Sequence, residues 1–292
     1  MSQHKHFLSS TNICLLIVDR GLLVFQTLCL RQNLITKIEN LEHNVLLTEL
    51  DLYDNQITKI ENLDTLVDLE ILDLCFNQIR KIEGLESLTK LKKLYFVQNK
   101  ISVIENVGHL TELRMLEFGS NRIRVIEHLD TLTSLDSLFL GKNKIRLLQN
   151  LDSLTNLTVL SVQSNRLIKI ENLDGLVNLE QLYLSHNGIE AIEGLDKLAK
   201  LTTLDLAGNR ISRIQNIGHL TELEEFWFND NKVDNWQDLD QFQSLKKLET
   251  VYLERNPIWQ DPSDPTKVNP NYRRKIMLAI PWIKQIDATY CK

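Results

Sequence analysis

The residues that could do chemistry in this 292-residue chain fall at a fixed interval. Cys29, Asp51, Asp73, Tyr95, Glu117, Phe139, Ser161, Tyr183, Asp205 and Trp227 follow at steps of 22, and Tyr252 follows after 25. Four are acidic, five are aromatic and none is basic. Two kinds of chemistry could use such a set. Carboxylates on adjacent strands, as Asp51 and Asp73 would be at about 4.8 Å, repel each other, and a raised pKa is the start of acid–base catalysis. Rings set among polar groups serve instead as a surface that grips another protein.

The catalytic option lacks its other parts. The histidines (His4, His6, His43, His109, His128, His186, His219) have no metal-ligand spacing. No glycine loop suits a phosphate, and no G-x-S-x-G occurs. Acidic pairs without a nucleophile or pocket shape a field and perform no reaction. The expectation is a protein that is not an enzyme and uses no cofactor or metal.

A second column at the same interval would position these residues. Asn33, Asn55, Asn77, Asn99, Asn121, Asn143, Asn165, Asn187, Asn209 and Asn231 repeat every 22 residues, and Asn256 comes 25 later. One repeat, Leu69 to Asn77, reads L-x-x-L-x-L-x-x-N, and Ile79, Ile82, Leu85, Leu88 and Leu91 follow at threes. The L-x-L step has period two, so both leucines face one way and the residue between faces the other. The spacing of three suits turns or 3₁₀ segments on the far side of a coil. A unit of this size cannot bury its own leucines, so the coils must stack into a curved solenoid with a parallel sheet on the concave face. Each asparagine should turn inward and satisfy backbone groups at the corner.

The column first described then faces outward from the sheet, flanked by Glu49, Ile71, Met115, Val159 and Glu225. It is apolar along its middle with acid scattered through it, which suits a basic, partly apolar protein partner. The rings could equally serve as cross-strand support for the sheet. On the rim, lysines such as Lys59 and glutamates such as Glu61 form compensating ladders with little binding value.

Composition and chain order bound the rest. The chain is 43% hydrophobic with net charge −6, which argues against nucleic acid and announces no basic surface. Cys14, Cys29, Cys75 and Cys291 show no paired spacing, consistent with a reducing compartment. Residues 1–24 do not fit the repeat and are expected to be a leader or partial N-terminal cap, with Leu22 to Phe25 covering the first coil. The apolar run Ile13 to Val18 is too short to span a membrane. The array occupies 25–256 as about eleven repeats. All five prolines lie in the cap at 257–292. There the expectation is a loop over Pro257 to Pro270, a helix over Tyr272 to Ala279 with Arg273, Arg274 and Lys275 in water, and Trp282, Ile283 and Ile286 closing the core. Trp236 is expected as core filler.

Ile38-Glu39-Asn40-Leu41 and Ile60-Glu61-Asn62-Leu63 resemble the 22-residue repeat of a subclass of intracellular leucine-rich-repeat proteins. Leu50-Asp-Leu-Tyr-Asp-Asn55, Leu138-Phe-Leu-Gly-Lys-Asn143 and Val251-Tyr-Leu-Glu-Arg-Asn256 carry the likeness further. With Glu225-Phe-Trp and the tail Tyr272-Arg-Arg-Lys, they resemble the protein phosphatase 1 regulatory subunit 7 family over residues 26–292. That resemblance implies an α/β leucine-rich-repeat solenoid with a helical C-terminal cap. It implies a non-catalytic subunit, nuclear and cytoplasmic, that holds the protein phosphatase 1 catalytic subunit on its concave face. Control of its activity and assembly, a third regulatory protein, and links to mitosis and chromosome segregation come with it. The family's contact positions fall on Asp73, Tyr95, Glu117, Phe139, Asp205, Glu225, Trp227 and Tyr252. Tyr95 stands where the family usually has phenylalanine. The first 25 residues do not match the family's acidic leader, and the tail loop near Ser263 to Asn269 is longer. The alternative is a scaffold of another intracellular complex, ribonucleoprotein or axonemal, which a basic surface would favour.

Overall fold

The computed structural model describes residues 26–291. The expected leader, 1–24, and its cover by Leu22 to Phe25 lie outside the described residues. Eleven three-residue strands, β1 (Thr27–Cys29) through β11 (Thr250–Tyr252), stand side by side in chain order, each parallel to the next. Pairing joins equivalent residues of successive coils, so Leu50 opposes Leu72 and Asp51 opposes Asp73. The leucine pattern sets this register. Leu72 and Leu74 are fully buried while Asp73 between them is half-buried on the other side of the sheet. A slip of one residue would turn every leucine to water.

The asparagines bolt each coil to the one before. Asn143 Nδ2 donates to Phe118 O of the preceding coil at 2.9 Å and to its own coil's Leu140 O and Gly141 O at 3.0 and 3.2 Å. Its Oδ1 accepts from Ile123 N at 2.9 Å. The same four bonds recur at Asn55, where the donor to Oδ1 is Ile35 N, 3.1 Å away. Among the described residues no buried side-chain nitrogen or oxygen lacks a partner.

A third column explains the I-E-N-L motif physically. Asn62, Asn106 and Asn150 have φ of 60°, 55° and 57°, the left-handed region that asparagine tolerates. Each also donates to a carbonyl one coil back, at Ile38, Ile82 and Ile126, all at 2.7 Å. Gly84 takes this position at φ 67°, where an added Cβ would come within 2.5 Å of Ile60 O.

On the far side, turns closed by bonds from residue i+3 to i return the chain, as at Leu88 N to Leu85 O (3.0 Å) and Leu91 N to Leu88 O (3.1 Å). Ile79, Ile82, Leu85, Leu88 and Leu91 are all fully buried. A regular 3₁₀ helix forms in the last full repeat, Trp236–Ser244, where the step lengthens. The rim ladders form as expected, with Lys59 3.4 Å from Glu61 and Lys81 3.8 Å from Glu83.

The cap corrects three expectations. The tail segment is not a plain loop: after a 3₁₀ turn at Pro257–Trp259, β12 (Gln260–Asp261) and β13 (Asp264–Val268) form an antiparallel hairpin. Trp236 is half-buried against the cap, with its ring edge-on to Tyr272 and under the Lys275 ammonium, 4.3 Å from the ring centroid. Arg273 is not on a wet face: it donates to Ile286 O at 2.8 Å and Thr289 O at 3.2 Å. The helix α1 (Tyr272–Ala279) lies where the sequence places it. Beyond it, β14 (Gln285–Ile286) extends the sheet beside β11, and β15 (Thr289–Tyr290) folds back on it. Asp287 locks the closure by accepting from Leu253 N, Glu254 N and the Tyr272 hydroxyl at 2.9, 3.0 and 3.2 Å. Ile283 and Ile286 are buried under this lid, and Trp282 is half-buried.

Candidate functional site

The strands bring the outward column together without a gap. Asp73 neighbours Tyr95, Tyr95 neighbours Glu117, and Glu117 neighbours Phe139. After Ser161 and Tyr183 the row continues to Asp205, Trp227 and Tyr252. All eight sequence-selected residues therefore share one face, with Glu225 in the flanking row of the same strand as Trp227.

They are not equally presented. Trp227 is 38% exposed, whereas Asp73, Tyr95, Glu117, Phe139, Glu225 and Tyr252 are half-buried. Asp205 is only 4% exposed. It sits between Tyr183 and Trp227, and its carboxylate accepts from Ala207 N at 3.0 Å. It acts more as a support for its own corner than as open surface.

The two ends of the face differ. At the C-terminal end the Trp227 and Tyr252 rings lie 5.6 Å apart between centroids, tilted at 49°. The Tyr252 hydroxyl accepts from Gln285 Nε2 at 3.0 Å, so the cap helps to hold this ring. At the N-terminal end the carboxylates crowd. Burial, then the Asp73 charge, raises the pKa of Glu117. Burial, followed by Glu117 and Asp73, pushes the Tyr95 phenol up. Asp51 is also raised, first by burial. Arg31, invisible to the column because it sits two residues past Cys29, reaches Asp51 at 2.9 Å and Asp73 at 3.9 Å. Its guanidinium also lies 4.5 Å from the centre of the Tyr53 ring.

The face thus offers a ring pair, half-buried at Tyr252 and exposed at Trp227, at one end and crowded carboxylates partly countered by Arg31 at the other. Among the described residues no group of three or more His, Cys, Asp or Glu side chains could hold a metal. Among the described residues no helix is long and apolar enough to cross a membrane.

One expectation about the surface is corrected. Net charge hid a basic strip on the flank that follows the asparagine corner, where Lys100, Arg122, Lys144 and Arg166 occupy the same position in four successive coils. The position one past the asparagine carries this signal, visible in the sequence only once the columns are read separately.

Comparison with known proteins places the chain. The family model "Leucine-rich repeat" matches residues 27–140, and "Leucine Rich repeats (2 copies)" matches 155–197 and 199–241. The chain belongs to the leucine-rich-repeat proteins. Within them it is similar to protein phosphatase 1 regulatory subunit 7 of Mus musculus, 64% identical over 47 residues, 16% of this chain and 11% of that one. The Danio rerio protein of that name is 64% identical over 50 residues, 17% and 12% of the two chains. Protein phosphatase 1 regulatory subunit SDS22 homolog of Caenorhabditis elegans is 46% identical over 48 residues, 16% and 13% of the two chains. The matched stretches span about a tenth of the length of these curated relatives. Among solved structures, the functional domain of InlJ from Listeria monocytogenes superposes with a TM-score of 0.72 at 22% identity, covering 90% of this chain and 53% of that one. A leucine-rich-repeat protein of Leptospira interrogans gives 0.72 at 23%, covering 89% and 71%. These two likenesses concern the fold alone.

Proposed function

We propose that this chain is a non-catalytic regulatory subunit that holds the catalytic subunit of protein phosphatase 1 on its concave sheet face and controls its activity and assembly. The observation that carries the reading is the row of rings and carboxylates, interrupted by Ser161, that runs across the parallel strands. Similarity to phosphatase 1 regulatory subunits, short in extent, supports the choice of partner. Asp73, Tyr95, Glu117, Phe139, Glu225, Trp227 and Tyr252 are the contacts, with Asp205 supporting the row from beneath. Trp227, Tyr252 and Phe139 supply apolar anchors, and the carboxylates receive basic groups of the partner. The face needs no cofactor. A third regulatory protein joining the complex, work in nucleus and cytoplasm, and a role in mitosis and chromosome segregation belong to the same reading.

Capture of purified phosphatase 1 catalytic subunit tests it, with Phe139→Ala, Trp227→Ala as the disabling variant. Undiminished capture by that variant removes the site. Phosphatase activity measured with and without the chain then gives the sign of the regulation.

A further inference from the structure

The flank beyond the asparagine corner carries a surface that the sheet-face reading does not use. Lys100, Arg122, Lys144 and Arg166 repeat one coil apart, each backbone N–H donating at 2.8 Å to the equivalent carbonyl of the coil before. Arg124 and Arg146 stand two residues further on in the middle coils, and both are exposed. Among the described residues, none of these six cations lies within 4.0 Å of a carboxylate. In a chain of net charge −6, so many unpaired cations in one place amount to a local reversal of sign.

The neighbouring row changes at the same coils. Elsewhere it holds Lys37, Lys59 and Lys81, each within 4.0 Å of a glutamate two residues on. Here it holds Val103, Val125 and Leu147, 43%, 40% and 41% exposed, with Ile168 beside them at 67%. Gln149 replaces the glutamate of the third of these coils. Glu105 and Glu127 are the acidic side chains that remain at that position in the first two. Cations and aliphatics meet in an open depression of about 340 Å³ lined by Arg124, Val125, Lys144, Arg146, Leu147 and Gln149. Exposed aliphatic side chains in place of an ion-pair ladder are costly to leave in water and mark an interaction surface.

We infer that this flank binds an acidic polypeptide segment bearing aliphatic side chains, supplied by another protein. Charge complementarity gives the sign of the partner, and the aliphatic row gives its second requirement. Nucleic acid fits less well, because the strip offers no aromatic side chain on which a base could stack. An anionic membrane would meet two retained glutamates and, among the described residues of this flank, no helix to insert. The site lies off the sheet face and does not rest on the phosphatase reading.

The test uses the full chain and a fluorescein-labelled peptide of Asp-Glu-Leu-Glu repeats, followed by anisotropy across a salt series. Single-stranded oligothymidylate and phosphatidylserine-containing vesicles are the comparison arms. The peptide is expected to bind more tightly than either. Arg124→Glu, Arg146→Glu should weaken it about tenfold, from lost and reversed charge contacts. Val125→Ser, Leu147→Ser should weaken it severalfold at constant charge. All four positions are exposed, so melting temperature and phosphatase capture should match the parent's. Peptide binding that ignores the charge reversal, ignores the serine variant, or is matched by the oligonucleotide or the vesicles overturns the inference.

Discussion

Trp227 and Tyr252 lie opposite each other on adjacent parallel strands, ring centroids 5.6 Å apart, and the second is tied to the cap through Gln285. Their pairing joins two properties that compete at most surfaces. The rings support each other, so their rotamers are restricted before a partner arrives, yet Trp227 remains 38% exposed. An anchor ordered in advance loses less side-chain entropy on binding.

Tyr252→Phe separates ring from hydroxyl. The variant loses the Gln285 amide bond at 3.0 Å but keeps the apolar contact with Trp227. Stability should fall by about 0.5–1.5 kcal/mol, the net value of one hydrogen bond. Phosphatase capture should persist. Denaturant melts and capture assays on one preparation check both.

Removal of one asparagine bolt should cost far more than its surface suggests. Asn143→Ala leaves Ile123 N without its partner, while Phe118 O and Leu140 O each lose one of two bonds and keep those from Asn121 and Asn165. One buried orphan N–H at ~1–3 kcal/mol, together with the hydrogen bonds lost to carbonyls that keep another donor, gives an expected loss of about 2–4 kcal/mol. Asn33→Ala, at an exposed corner whose bonds among the described residues go to Leu30 O and Arg31 O, should cost less than about 1 kcal/mol. Guanidinium unfolding of the two variants tests the contrast.

Much of this architecture is legible in the residues themselves. A 22-residue beat of asparagine, with leucines at period two, fixes strand, corner and facing, because each coil repeats one solution to the same burial problem. The left-handed backbone at Asn62 and its carbonyl bond to Ile38 are hidden in the motif, since only coordinates show which coil the amide meets. Arg31 escaped notice because it belongs to no column. Asp205 read as outward by period, but larger rings on both neighbouring strands bury it. Pro265 read as a loop signal, although an edge hairpin accepts proline and β13 contains it. Summed charge concealed the basic flank, because acids elsewhere outweigh six local cations.

The cap should come loose on one change. Asp287→Ala removes the acceptor for Leu253 N, Glu254 N and the Tyr272 hydroxyl. A loss of about 2–4 kcal/mol is expected from such charge-assisted bonds, against ~1 kcal/mol for Tyr272→Phe. Proteolysis at Arg273 and Lys284 should accelerate in the first variant and hardly change in the second.

Acidity of the face gives a signed pH dependence. Burial and the Asp73 charge raise Glu117 above its ordinary value of 4.5 in the folded chain, so the folded state holds this proton longer than the unfolded one. Stability from this group is therefore greatest below 4.5 and declines as pH rises through the raised folded value. Glu117→Gln should be stabilised relative to the parent, by a margin that widens as pH rises across that window and is flat above it. Paired melts from pH 4 to 7 measure the margin; a constant difference would contradict the assignment. Binding of a basic partner should weaken in the same window as pH falls.

The central claim is that ring and carboxylate columns on the sheet form one grip for phosphatase 1. Calorimetric titration of its catalytic subunit into the parent chain and into Phe139→Ala, Trp227→Ala measures that most directly. The account requires binding by the parent and a loss of about 2–4 kcal/mol or more in the variant, at nearly unchanged folding. Equal affinity for both chains, or no binding by the parent, would contradict it.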